Sequence, residues 1–212
     1  MKTMKSVTID HVMAWKPCGY NSNRCTGDYN RRHVQNLFGD RESLTALDIL
    51  NHDKVPDADK VWAVIHKEFM TEIQMHEFAC DCAEHVLLIM KDVFDSADLC
   101  SAIEATRKWI RGEITEGELY VIRNNIVSTL MLTSGTVLML PSGTVYDLAI
   151  VASNVIHATF TQVDPMVIAR VVVRESAKII KSHTWRVTPD TEITGYEWQI
   201  QRLNQILEKE TD

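Results

Sequence analysis

The chain has 212 residues, of which 45% are hydrophobic and 24% charged, and its formal net charge is −7. This composition excludes a disordered, collagen-like or low-complexity chain, and it predicts one globular domain long enough to bury a core. Proteins that bind nucleic acid generally carry a basic surface, so the acidic balance argues against nucleic acid as a partner.

The cysteines and the N-terminus predict a cytoplasmic protein. Five cysteines are an odd number and do not form the pattern of a small secreted scaffold. The first 15 residues contain two lysines, but neither an apolar core nor a small-residue cleavage site, so no secretory signal is predicted. Residues 124–163 contain Asp147 as their only charged residue, yet Pro141 and several Ser/Thr clusters interrupt them. They predict buried helices rather than membrane spans, and no membrane partner.

The first predicted helix follows Thr8, a suitable N-cap, and runs to about Trp15. It stops there because the residue that precedes a proline, here Pro17, is disfavoured in helical conformation. Residues 18–30 are rich in Gly, Asn, Ser and Asp, which predicts a loop.

Two short helices are predicted to complete the N-terminal region. One covers residues 31–38 and ends at Gly39, and the other is one or two turns long, capped by Ser43 or Thr45. We interpret residues 1–55 as helices and a loop that pack on a helical bundle formed by residues 56–212.

The bundle is predicted to begin with four helices, at residues 57–69, 71–91, 96–111 and 116–132. The second of them has the clearest helical spacing of apolar residues, namely Met75, Phe78, Ala79, Cys82, Val86, Ile89 and Met90. The fourth begins with a capping box between Thr115 and Glu118.

Three further helices are predicted at residues 148–160, 165–181 and 194–208. The middle one starts with Asp164 and Pro165 as N-cap and first helical residue, although its VIARVVVR centre would suit a strand on propensity alone. The last one turns Trp198, Leu203, Ile206 and Leu207 inward. Seven to nine helices without an alternating strand pattern predict an all-α, multi-helix bundle in a single compact domain.

The segment His76–His85, HEFACDCAEH, contains two histidines, two cysteines and three carboxylates, which raises the question of a metal site. Cys80 and Cys82 point about 200° apart on a helix, so they do not face the same ion. Cys82 belongs to the apolar stripe and is predicted to be a core residue.

The remaining polar residues of this segment form two neighbouring rows on the helix. His76, Cys80 and Glu84 follow one another at intervals of four residues, beside a row of Glu77, Asp81 and His85. We interpret them as a solvated polar face with local ion pairs, and we predict neither a metal nor another cofactor. The alternative is a metal-dependent enzyme built on His76, Cys80, Glu84 and His85.

A second candidate lies where the first helix ends, at Trp15-Lys16-Pro17-Cys18. A tryptophan and a rigid proline beside a lysine suit a contact patch for a partner. The alternative is that Trp15 fills the core as the helix ends, because tryptophans are mostly buried. Cys18 and Cys25, with six residues between them, match no common zinc spacing and are predicted to be free thiols.

A third candidate is a basic stripe on the predicted helix at residues 165–181, formed by Arg170, Arg174, Lys178 and Lys181. Such a stripe could meet an acidic partner or a phosphorylated ligand, although a plain solvated face has the same pattern. No nucleophile elbow, Walker loop, HExxH or GxGxxG motif is present in the sequence, so the chain is not predicted to be an enzyme.

Several segments together resemble a family of bacterial and phage immunity proteins. In chain order they are VTIDHVMAWKPC (7–18), LFGDRESLTALDIL (37–50), VPDADKVWAVIHKEF (55–69), MHEFACDCAEHVL (75–87), AIEATRKWIRGEITEGEL (102–119) and YEWQIQRLNQILE (196–208). Residues 120–185 differ, because Ser, Thr, Val, Ile and Met stand where the family has Ala-rich helices. The resemblance implies a helical, non-enzymatic protein that neutralises a toxin or effector by binding.

The leading functional prediction is therefore a cytoplasmic binding protein of the immunity or counter-defence type, with a protein as its partner. One alternative is a helical protein that binds or sequesters a small, nucleotide-like signal through the basic stripe. Another is a structural homo-oligomer with the apolar residues 126–163 at its interface.

Overall fold

The computed structural model describes residues 5–17, 29–90, 97–133, 165–187 and 195–209. In chain order the elements are β1 (Ser6–Val7), α1 (Ile9–Ala14), α2 (Arg31–Phe38), β2 (Leu44–Thr45), α3 (Ala46–Leu50), α4 (Asp57–Val64), α5 (Glu72–Met90), α6 (Ala97–Ile110), α7 (Glu116–Thr133), α8 (Pro165–Val187) and α9 (Gly195–Glu208). The predicted all-α, multi-helix fold is confirmed. The helix predicted at residues 148–160 lies outside the described residues.

The backbone contacts divide the chain into two compact units. The N-terminal unit comprises Met1–Met70 together with Leu203–Asp212, and the helical unit comprises Thr71–Arg202. The helical unit thus contains α5 to α8 and the first half of α9, and the candidate residues of the segment His76–His85 all belong to it.

The N-terminal unit begins with a short antiparallel pair of strands, β1 and β2, in which Val7 lies opposite Leu44. Two-residue strands show no alternation in the sequence, which is why no strand was predicted. Thr8 caps α1 as predicted, and the ring of His11 accepts the N–H of Thr8 in return. Of the two caps proposed for α3, Thr45 is the one used, since its hydroxyl accepts the N–H of Asp48.

The prediction of one helix over residues 57–69 is wrong in its last turn, because α4 ends at Val64. Ile65 has a ψ of 68°, which is outside the helical region, and the N–H of His66 turns back to the carbonyl of Val64 at 2.8 Å. The ring Nδ1 of His66 donates to the carbonyl of Ala63 at 3.0 Å. The chain therefore turns after Val64, and this turn places His66 and Phe69 beside Trp15.

In the helical unit, α5 packs against both α8 and α6, and α6 packs against α7. Five residues of the predicted apolar stripe of α5 are buried, namely Met75, Phe78, Ala79, Cys82 and Val86. Ile89 is partly buried, and the side chain of Met90 lies outside the described residues. Residues outside that stripe, such as Cys80 and Leu87, are buried as well. A helix that is apolar on several sides is one that neighbours surround, and α5 is the central helix of this unit.

The remaining helices of this unit agree with the sequence pattern where they are described. The capping box of α7 is present, because Thr115 Oγ1 accepts the N–H of Glu118 and the Glu118 carboxylate accepts the N–H of Thr115. The VIARVVVR segment is helical, and α8 continues beyond residue 181 to Val187. The Asp164 cap lies outside the described residues. No described helix combines the length and the apolar character needed to cross a bilayer.

Candidate functional site

The buried carboxylate of Asp81 joins three helices of the helical unit. Asp81 lies on α5 and only 8% of its side chain is exposed. Its Oδ1 accepts a hydrogen bond from Arg107 Nη2 on α6 at 2.7 Å, and its Oδ2 accepts one from Arg202 Nε on α9 at 2.6 Å. Arg107 Nη2 also donates to Glu84 Oε2 at 2.8 Å. Charge-assisted hydrogen bonds of this length are strong, so we interpret the network as a structural clamp.

The interpretation of this side of α5 as a solvated polar face is wrong for three of its six residues. Cys80 is fully buried, and His76 and Asp81 are less than one tenth exposed. Glu84 is exposed, as predicted, and His85 is half-buried. The reason is that α6 and α9 supply side chains that cover the polar rows, which the spacing of residues within α5 does not reveal.

Burial makes the two thiols of α5 unreactive. It raises the pKa of Cys80 to about 12 and the pKa of Cys82 well above its ordinary value. The thiolate is the form that binds metals and attacks electrophiles, so both cysteines are inert at neutral pH. Within the residues that the structure describes, no three His, Cys, Asp or Glu side chains converge in a way that could hold a metal ion.

We expect the cysteines of the helical unit to differ in their rates of alkylation by iodoacetamide. At pH 8 the exposed Cys100 is expected to be modified within minutes, whereas Cys80 and Cys82 react only after unfolding, because their thiols are buried and protonated. Peptide mass spectrometry after timed labelling checks this, with labelling in concentrated guanidinium chloride as the control. Modification of native Cys80 at the rate of Cys100 would contradict the burial of α5.

The two histidines of the segment contact tryptophans from neighbouring helices. His76 meets Trp109 of α6 edge to face, with ring centroids 5.4 Å apart, and His85 stacks on Trp198 of α9 at 3.9 Å with the planes 4° apart. Burial lowers the pKa of both imidazoles, and for His76 the charge of Glu72 opposes part of that effect. The rings are therefore neutral at pH 7 and fill space as aromatic groups.

These lowered pKa values predict that acidification destabilises the protein. The folded-state pKa of His76 and His85 lies below the ordinary value near 6.5, so the unfolded state binds more protons as the pH falls below about 6.5. The free energy of unfolding in urea is expected to decrease between pH 7.5 and pH 5. The variant His85→Gln cannot be protonated and is expected to show a smaller decrease. An identical decrease in the wild type and in this variant would contradict the assignment to His85.

A second group of aromatic rings lies in the N-terminal unit and contains Trp15. Its ring stacks on His66 with centroids 3.8 Å apart, and it meets Trp62 and Phe69 edge to face at 6.3 and 6.1 Å. Trp15 is nevertheless only partly buried, so it combines features of both interpretations offered by the sequence. Lys16 next to it is exposed with a φ of 51°.

The basic stripe is an exposed part of α8 whose charges are partly neutralised. Arg174 and Lys178 are each about half exposed, and both bind the carboxylate of Glu175, at 2.7 and 2.8 Å. Arg170 is partly buried. The side chain of Lys181 and the whole of Cys18 lie outside the described part of the chain. Arg174 and Lys178 thus point to the surface, and both are held in place by the buried carboxylate of Glu175.

Sequence reasoning missed the arginines that organise the Asp81 network. Arg107 and Arg202 are 26 and 121 residues from Asp81, so no local spacing connects them. The contact of His66 with Trp62 was missed as well, although only three residues separate the two in the sequence.

Searches against protein-family models, curated proteins and solved structures found no match to this chain. The resemblance to immunity proteins therefore stays a prediction, and the function has to be argued from the residues and their contacts.

Proposed function

We propose that this chain is a non-enzymatic helical binding protein of the immunity or counter-defence type, which neutralises a protein toxin or effector by direct contact. The observation that carries the proposal is the Asp81 network. The segment richest in potentially reactive groups uses its carboxylate to bind two arginines from other helices. Its cysteines are buried and both of its histidines contact tryptophans, so these groups build the fold rather than a reaction centre.

Exposed apolar side chains on the helical unit support a protein as the partner. Ile73 and Leu88 on α5 are 55% and 63% exposed. Apolar residues surrounded by charged ones are the usual composition of a protein interface. The proposal includes a cytoplasmic site of action and membership in the immunity family, both of which come from the sequence pattern.

The small-molecule alternative is weaker because of Glu175. A site for a phosphorylated ligand needs cations that are available to it, and Arg174 and Lys178 share the Glu175 carboxylate with each other. The metal-dependent alternative requires His76, Cys80, Glu84 and His85 to converge, whereas His76 contacts Trp109, Glu84 binds Arg107 and His85 stacks on Trp198.

Two experiments on the wild-type protein test the proposal. Coexpression with a panel of bacterial toxins in a sensitive host is expected to restore growth for a cognate toxin, with a complex of the two proteins in size-exclusion chromatography. Native mass spectrometry of protein purified without chelator is expected to give the bare protein mass. No rescue and no complex across the panel would contradict the proposal. So would a non-protein mass excess that disappears on denaturation, since this favours a ligand or a metal.

A further inference from the structure

Apart from Glu72 in the first turn, the exposed side chains among the described residues of α5 form one narrow strip. It consists of Ile73, Glu77, Glu84 and Leu88, which we call the α5 strip. On a regular helix these four positions fall within an arc of about 60°. We propose that the α5 strip is the docking site for a basic, amphipathic helical segment of the protein partner. This inference rests on the proposed function and specifies its interface.

The neighbours of the strip define its two borders. On one side His76 contacts Trp109 of α6, and Arg107 of the same helix binds Glu84 within the strip and Asp81 at its far side. On the other side His85 stacks on Trp198 of α9. The strip is therefore the part of α5 that remains accessible between α6 and α9. An amphipathic helix can bind along such an elongated exposed surface through residues one or two turns apart.

The charges of the strip select a cationic occupant. Asp81 and Glu84 bind the guanidinium groups of Arg107 and Arg202, so these charges balance one another, whereas Glu77 adds one negative charge that neither arginine binds. That charge is in excess, since Glu77 forms no hydrogen bond or ion pair with another described residue. Complementary charge on the partner fixes its register and excludes wrong partners.

The spacing of the strip describes the segment that would fit it. Ile73 and Leu88 are 15 residues apart, about 22 Å along the helix, and Glu77 and Glu84 are about 10 Å apart between them. A matching helix carries an apolar residue near each end and lysine or arginine between them. A second copy of this chain does not match, because a symmetric contact of the strip with itself would bring the glutamates of both copies together.

The probe for this proposal is a synthetic amphipathic helical peptide of about 20 residues, with leucines about 22 Å apart on one face and lysines between them. Isothermal titration at low ionic strength is expected to show micromolar binding. A peptide with glutamates in place of the lysines is expected to bind at least about tenfold more weakly. Equal affinity for the two peptides, or no binding of either, would overturn the proposal.

Matched variants locate the binding on the chain. Glu77→Lys and Leu88→Ser are each expected to weaken the binding of the basic peptide by about tenfold. Glu116→Lys and Val121→Ser make the same changes at exposed positions of α7 and are expected to leave the affinity within about twofold. Circular dichroism checks that all four variants fold. Equal losses in the α5 and α7 variants would overturn the proposal, and so would a dimer in native mass spectra that Leu88→Ser dissociates.

The two proposals fail separately. If a toxin is neutralised with wild-type affinity by Glu77→Lys and Leu88→Ser, the proposed function stands and the α5 strip is not its interface. If the peptide binds as expected but the toxin panel gives no rescue, the strip remains a docking site and the proposed function is contradicted.

Discussion

Asp81→Asn is expected to lower the free energy of unfolding by about 3 kcal/mol, because removal of one partner from a buried ion pair leaves the other charge without compensation. Two guanidinium groups lose their shared carboxylate here, those of Arg107 and Arg202. These groups are 24% and 33% exposed, so water reduces part of the cost and we expect a value at the lower end of the usual range. Urea denaturation at pH 7, followed by circular dichroism, measures the effect.

The matched control is Asp10→Asn in α1. Asp10 accepts a hydrogen bond from Arg31 at the same 2.7 Å, but the two side chains are 77% and 56% exposed. An exposed pair contributes little, so we expect a loss below about 0.5 kcal/mol. The two sites share an aspartate–arginine hydrogen bond of 2.7 Å and differ in burial and in the number of arginines, two at Asp81 and one at Asp10. A similar small loss for both variants would mean that the Asp81 network is solvated and does not clamp α5, α6 and α9 together.

The parts of the fold that the sequence predicted well are those decided within a few residues. Thr8 and Thr115 begin their helices because a hydroxyl accepts an N–H three residues later, and such a pattern is visible in any window of that length. The end of α4 was missed for the opposite reason. The turn at Ile65 and His66 packs against Trp15, which lies 51 residues earlier in the chain.

In the candidate site too, side chains were misplaced where contacts with residues distant in sequence decide their burial. Cys82 was recognised as a core residue because its neighbours on the same stripe are apolar. Cys80 was placed on a polar face by its spacing, yet it is buried, since α6 covers that side of α5. The polarity of a helix face indicates exposure only when no neighbouring helix offers complementary charges. Arg107 and Arg202 offer them to Asp81, and neither is near it in sequence.

Phe78→Ala is expected to lower the free energy of unfolding by about 3–5 kcal/mol, because it removes a large buried side chain and leaves a cavity that the neighbours fill only in part. Phe78 is completely buried on α5, the helix that packs against both α6 and α8. Its loss therefore affects the contacts on which the helical unit is built. Urea denaturation at pH 7 measures the change, and the slope of the transition checks that the unfolding remains cooperative.

Leu88→Ala is the control on the same helix, since Leu88 is 63% exposed and its shortening removes much less buried surface than that of Phe78. We expect it to change the free energy of unfolding by less than about 0.5 kcal/mol. The pair also bears on the docking proposal, because a residue that contributes nothing to folding and yet is apolar and exposed is available for a partner. If Leu88→Ala were as costly as Phe78→Ala, Leu88 would belong to the core. The α5 strip would then lose one of its two apolar anchors.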